Sequence, residues 1–509
     1  MKRRSFHALA LAAGLLASTA IFPAFAQNAP SDLIVAQAFD PTSLWPNFNT
    51  ASDEINAGAL ITEPLFWTDP KTNKMMPVLA LGYEMEDDTT ILVSLRQGVS
   101  FTNGEPFNAD AVVASFTNFM NPDVAPAYGR YASVFESIEK VDDNTVRIKT
   151  KSPYPALELA LGKVYIVPPA YWAEVGADGF GAKPVGTGPF KLEEWRRDDR
   201  IVMTRNETYW GEPLKGIERV ILRPVPDDMA RAAGIEAGEF DIATNIPIAN
   251  AAAIEAAGKK IVEVPSYRIF SLELSNLEMH PSPMHDKLVR QAVNYAIDKD
   301  GIIDGLFEGR AKHLNGQLLR SNQVGYNPDL TDYPYDPEKA KELLAEAGYP
   351  DGFEIDFRFP SGRYVQDQEV ATAIAGMLEA VGIRPNMIQL EAGEFLRQLV
   401  GRELAPIGYV GLGPADDPDL QMSQYRSDWR YSYVSDPEVD RLIDAGAAEM
   451  DSGKRAVIYQ ELSKYMRDQA SVAYLFQNVD LYATGSDVQG FLPRGDQLWM
   501  LYGVSVGDK

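Results

Sequence analysis

The pattern of apolar and polar positions is clearest between residues 353 and 420. Glu354 to Phe359 partly alternate, as in a strand with one buried face, and Pro360 and Gly362 stop the run. A helix is predicted from about Tyr364 to Val381. Val370, Ile374, Met377, Leu378 and Val381 recur there at steps of three and four, and Gly382 follows. Asn386 to Leu390 reads as a second strand, Glu394 to Val400 as a brief helix, and Ile407 to Val410 as a third strand. Strand, helix, strand predicts right-handed crossovers and a parallel sheet. Open parallel sheets take ligands just beyond the carboxyl ends of their strands. Two segments fall there: Pro360-Ser361-Gly362-Arg363-Tyr364, and the loop from Gly411 through Leu412, Gly413, Pro414, Asp416 and Asp417 to Asp419. Each is either a binding segment or an ordinary surface connection.

Around this unit the chain reads as alternating strands and amphipathic helices. Leu33 to Ala36, Ile91 to Arg96, Thr145 to Lys149, Ile201 to Thr204 and Val220 to Leu222 are strand-like. Asn108 caps a helix with Val112, Val113, Phe116 and Phe119 inward, and up to Pro184 the region reads as a small α+β unit. Val185-Gly186-Thr187-Gly188 lacks the lysine and spacing of a phosphate loop and reads as a tight turn entering a strand. After Pro265, Arg268 to Leu274 is a strand. Helices follow over about Met284 to Ile297, from Gly301 to Phe307, and after Asp336-Pro337, Asp436-Pro437 and Lys454. Val472 to Phe476 is a late strand. Neither an internal repeat nor a Pro/Ser-rich linker is found. This predicts lobes joined by more than one short crossover.

At 509 residues, two or three domains are expected. The formal charge of −25 argues against nucleic acid or an anionic membrane as partner. Lys2-Arg3-Arg4, the apolar run Ala8 to Phe22 and Ala24-Phe25-Ala26 read as a cleaved export signal ending at Ala26, with the Sec or twin-arginine route open. The chain has no cysteine, so a lipid-anchored cysteine, disulfides and thiolate sites are excluded. A soluble periplasmic protein is the simplest reading.

Catalytic signatures are scarce. Beyond the leader only His280, His285 and His313 remain, too few and too poorly placed to predict a metal site. Asp416, Asp417 and Asp419 lack the glycine and terminal glutamate of a calcium loop and read as a solvated turn. No nucleophile elbow, zinc-protease helix or dinucleotide fingerprint occurs. Whether two acids stand at the separation that sugar hydrolysis needs is a three-dimensional quantity that the sequence does not give. The balance favours binding over chemistry, with no cofactor.

Four stretches carry a family resemblance. They are Leu95-Arg96-Gln97-Gly98-Val99-Ser100-Phe101-Thr102-Asn103-Gly104-Glu105-Pro106-Phe107-Asn108-Ala109-Asp110; Pro184 to Phe190 with Trp195 and Asn206 to Trp210; Val289 to Lys299; and Tyr335 to Ala340. In this order they resemble the family-5 extracellular solute-binding proteins of bacterial ABC importers, the dipeptide- and oligopeptide-binding group. Asn103 stands where that family usually has aspartate.

The resemblance implies an α/β fold (mixed α+β) of two hinged lobes, the large type II periplasmic-binding-protein form with an extra subdomain. Lobe I would hold 27–268 plus 481–509, with a subdomain at about 70–183, and lobe II would hold 269–480. Crossovers would lie near Val264 to Phe270 and Gln477 to Tyr482. The implied partners are a small-molecule or peptide ligand and the permease and ATPase subunits of an ABC importer; a monomer is expected. In peptide-binding relatives a loop aspartate pairs with the ligand's amino group. Pro414 stands at that place here, so the bridge is missing or supplied by Asp416 or Asp417. Arg363 and Tyr364 match a pocket-lining segment, and Arg363 either holds a carboxylate or makes a surface ion pair. Tyr425, Trp429 and Tyr431, with Trp45, either stack on ligand or pack. The alternatives to peptide import are an oligosaccharide or opine-type conjugate in the same fold, a nickel or haem carrier, and a secreted hydrolase.

Overall fold

The structure, a computed structural model, describes residues 32–507 apart from 49, 213 and 414. The export signal and Pro414 lie outside the described residues. Ten strands form the principal sheet, in the order Ile383–Glu391, Phe353–Ser361, Ile407–Leu412, Lys260–Leu274, Val472–Thr484, Ile242–Ala243, Asp32–Gln37, Arg219–Pro224, Arg200–Arg205 and Phe190–Arg196. The first three pair in parallel, as strand–helix–strand spacing requires.

The two longest strands tie the sheet together. Residues 269–274 of Lys260–Leu274 pair with Ile407–Leu412 and with the start of Val472–Thr484, whereas residues 260–265 pair with the end of Val472–Thr484. On one side of this crossing the core is built from residues such as Leu272, Val293, Phe357, Ile374, Tyr409 and Leu475. On the other it is built from Leu33, Val35, Ile201, Val220, Tyr482 and Trp499. A separate four-stranded antiparallel sheet, Ala80–Asp87, Thr90–Leu95, Thr145–Thr150 and Phe135–Asp142, packs on the helix Ala109–Met120 through Val93, Phe116, Phe119 and Ile148. The helix begins where Asn108 accepts the N–H groups of Asp110 and Ala111, and Asp336, Asp436 and Asp451 cap their helices in the same way.

Two expectations need correcting. The helix after the central strand starts at Asp367, not Tyr364. The Asp367 carboxylate accepts the N–H groups of Gly362, Arg363 and Tyr364 and so holds that stretch as a turn. Both long strands also run well beyond their predicted ends, because their middles carry Pro265, Ser266, Asn478 and Asp480, which break the apolar pattern.

One buried carboxylate explains the second resembling stretch. Glu63 is fully buried and accepts hydrogen bonds from Thr187 Oγ1 (2.8 Å), Trp210 Nε1 (2.8 Å), Tyr209 OH (3.0 Å) and Tyr502 OH (2.8 Å). Burial pushes its pKa up, and these four donors pull it back. Gly186 and Gly188 press the adjoining turn onto Ile61: a Cβ at either would stand 2.0 or 2.7 Å from the Ile61 carbonyl oxygen. Any larger residue there would displace the strand that follows.

Candidate ligand-binding cleft

The long strand pair is interrupted once. Pro265 faces Val479 and Ile269 faces Gln477, so Ser266, Tyr267 and Arg268 oppose the single residue Asn478. Such a bulge re-aims side chains. Gln477 Nε2 donates to Ser266 O at 2.7 Å, Tyr267 N donates to Gly495 O at 2.6 Å, and the Arg268 side chain borders two cavities. These cavities, about 570 and 610 Å³, share Arg268, Asn245 and Gln497 and form one bent cleft. Either part has the size of an ordinary small-ligand site.

The first cavity is lined by Trp67, Tyr128, Tyr131, Lys163, Arg494 and Asp496 on one side and reached by Asp416 from the other. Asp416 Oδ2 lies 3.6 Å from Lys163 Nζ and 3.5 Å from Arg494 Nη2. Arg494 also pairs with Asp496 at 2.5 Å and sits over the Trp67 ring, 4.8 Å from its centroid. Asp416 Oδ1 is buried without a hydrogen-bond partner. Asp53 borders the same space and accepts the N–H groups of Ala38 and Phe39. Burial nevertheless pushes its pKa up to about 6.

Beside the second cavity, which Arg363 and Tyr364 line, the two segments predicted from sequence meet. Tyr364 OH donates to Gly411 O at 3.3 Å, and the Tyr364 ring stands edge-on to Phe270 at 5.1 Å. Gly411 allows this approach, since a Cβ there would lie 2.8 Å from both rings. Arg363 is exposed beside Tyr364, its guanidinium 5.4 Å from the ring centroid; Arg268 lies 5.8 Å from the same centroid. Asp480 completes the wall.

Other expected site residues lie elsewhere. Leu412 is buried opposite Ile269, and Gly413 is exposed at the strand end. Asp417 is not part of a solvated turn: it caps the helix Pro418–Met422 and pairs with Arg455 at 2.6 Å. Tyr425 packs edge-on to Tyr474 and Trp45 edge-on to Trp172, both in hydrophobic cores that border neither cavity. Trp429 lies under Arg130, with Tyr431 6.2 Å away. Arg130 also donates to Leu420 O and Ser423 Oγ, which makes a contact between the two sides of the cleft. Trp67, Lys163, Arg268, Arg494 and Asp480 line the cleft without any local sequence signal.

Residues 74–433 match the family model of bacterial extracellular solute-binding proteins, family 5 (middle region). The chain belongs to that family. Glutathione-binding protein GsiB of Salmonella typhi is 32% identical over 473 residues, covering 89% of this chain and 90% of the relative. Heme-binding protein A of Haemophilus influenzae is 28% identical, covering 85% and 84%. Among solved structures, HbpA2 from Haemophilus parasuis superposes with a TM-score of 0.85 at 26% identity, covering 94% of this chain and all of that one. Like its solved relatives, this family-5 protein has the two-lobed periplasmic-binding fold. Family-5 proteins work with ABC permease and ATPase partners and bind small-molecule or peptide ligands. Among the described residues no helix is long and apolar enough to cross a membrane.

Proposed function

We propose that this protein captures a peptide or peptide-like solute between its lobes and presents it to a membrane permease for ATP-driven import. The observation that carries this reading is the cleft itself, in which Asp416 from one lobe reaches Lys163 and Arg494 of the other. A solute closing that gap is surrounded by paired charges of both signs, which suits a zwitterion. The relatives named for glutathione support a ligand of two or three residues. We place the ligand contacts on Trp67, Lys163, Arg268, Arg363, Tyr364, Gly411 and Asp416. The lobes divide at the bulge, near residues 265–269 and 477–480. The solute leaves chemically unchanged, and ATP hydrolysis belongs to partner subunits. The protein acts as a periplasmic monomer after loss of its leader.

A thermal-shift screen tests the reading, using dipeptides, glutathione, haem and oligosaccharides as separate arms. Stabilisation by peptides or glutathione is expected. Stabilisation by haem or an oligosaccharide alone would overturn it.

A further inference from the structure

The bulge that turns Arg268 toward the cleft turns its neighbour Tyr267 the other way, as successive residues of extended chain do. Tyr267 borders a third cavity of about 510 Å³, which shares Arg494 with the first cavity and no residue with the second. Lys312, Arg320 and Arg494 line it, and His313, also in its wall, is turned to Asp332 at 3.4 Å. Among the described residues no aspartate or glutamate lines it, although the chain carries a net charge of −25. Arg494 is already paired with Asp496 and Asp416. Arg320 is not. It is 3% exposed, and its guanidinium donates to neutral acceptors: Ala415 O at 2.8 Å, Gln421 Oε1 at 3.1 Å and Tyr267 O at 3.4 Å. Its Nε is buried with no acceptor. Burial pulls its pKa down to about 10, and Tyr267, Asp416 and Asp496 oppose the fall. Lys312 is exposed and bridges Gln477 through its backbone, and its ammonium makes no ion pair among the described residues. A buried guanidinium without a counter-charge is costly, and an anionic ligand removes that cost.

Much of the remaining wall is apolar or ring-bearing, with Pro265, Leu314, Leu319, Tyr326 and Pro493. Prolines offer no N–H, so an anionic head group entering here finds its strongest donors on Arg320 and Lys312. The volume exceeds what a bare ion fills and suits a small organic compound. We propose that the third cavity binds a small organic anion, with its phosphate or carboxylate head on Arg320 and Lys312 and its apolar body against Tyr326 and the prolines. The assignment goes beyond the import reading and does not depend on which solute the cleft carries.

Isothermal titration calorimetry of the whole protein with phenyl phosphate and with benzoate tests the assignment, and benzyl alcohol serves as the neutral control. At least one of the two anions is expected to bind saturably, about tenfold or more tightly than the alcohol, and the tighter of the two identifies the head group. Lys312→Gln is expected to weaken that binding about tenfold. Lys312 is exposed, so this variant reports even where Arg320→Gln disturbs folding. Lys163→Gln, in the first cavity, is expected to change the anion's affinity by less than about twofold. Absence of saturable anion binding, equally tight binding of the alcohol, or wild-type affinity in Lys312→Gln overturns the inference. Loss of binding in folded Lys163→Gln places the anion in the cleft and overturns it as well.

Discussion

Asp416 and Arg494 lie 3.5 Å apart across the first cavity. Lys163 approaches the same carboxylate oxygen from a third segment. The contact is largely shielded from water, so its charges interact more strongly than surface pairs do. Asp416→Asn should weaken the closed form, lowering ligand affinity by on the order of 1–3 kcal/mol. Small-angle scattering of the ligand-free variant should give a larger radius of gyration than wild type. An unchanged radius together with unchanged affinity would remove Asp416 from the closing contact.

Gly411 has no room for a methyl group. Gly411→Ala places a Cβ 2.8 Å from the Phe270 and Tyr364 rings, and overpacking of this kind costs about 1–3 kcal/mol. Because Tyr364 is half-buried while Phe270 is buried, the tyrosine is the ring that moves. Affinity should therefore drop more than stability. Calorimetric binding compared with urea unfolding checks the split.

Glu63 is a structural carboxylate away from the cleft. Replacing it with glutamine turns one acceptor oxygen into a donor facing hydroxyl and indole donors. The expected loss is about 2–4 kcal/mol, with the ligand's binding enthalpy preserved wherever the protein is folded. Urea denaturation measures the first, and calorimetry the second.

Glu273 sets a pH dependence. Burial pushes its pKa from 4.5 up to about 7, against the lowering effect of the Ser271 and Tyr425 hydroxyls. The folded protein thus holds a proton between pH 4.5 and 7 that the unfolded chain has released. Stability must fall as pH rises through that window, by about 3 kcal/mol in total. Glu273→Gln should flatten this part of the melting-temperature profile and melt higher than wild type at pH 8. A variant with the same slope as wild type would show that the carboxyl does not titrate there.

Much of the fold is legible because it rests on local signals. The helix beginning at Pro337 is announced by a capping aspartate and a proline, and the one ending before Val381 by its apolar spacing. The meeting of Tyr364 with Gly411 follows from the rule that loops at one end of a parallel sheet converge. Asp417 and Trp45 show where such reasoning stops. Nothing near Asp417 reveals Arg455, thirty-eight residues away, and nothing in Trp45 distinguishes it from Trp67, which does face the cleft. Lys163, Arg268, Arg494 and Asp480 come from four separate stretches of chain. The pairing of the two long strands brings Arg268 and Asp480 together, and packing of other segments against it brings Lys163 and Arg494.

Three residues facing one, at the crossing of Lys260–Leu274 with Val472–Thr484, give the longest ladder in the molecule a length of slack. Rotation of one half against the other can be taken up inside that surplus backbone, leaving every rung above and below intact. The same surplus carries Arg268, so the bulge and one wall of the cleft are a single piece of chain. A solute gripping Arg268 would pull directly on the bulge.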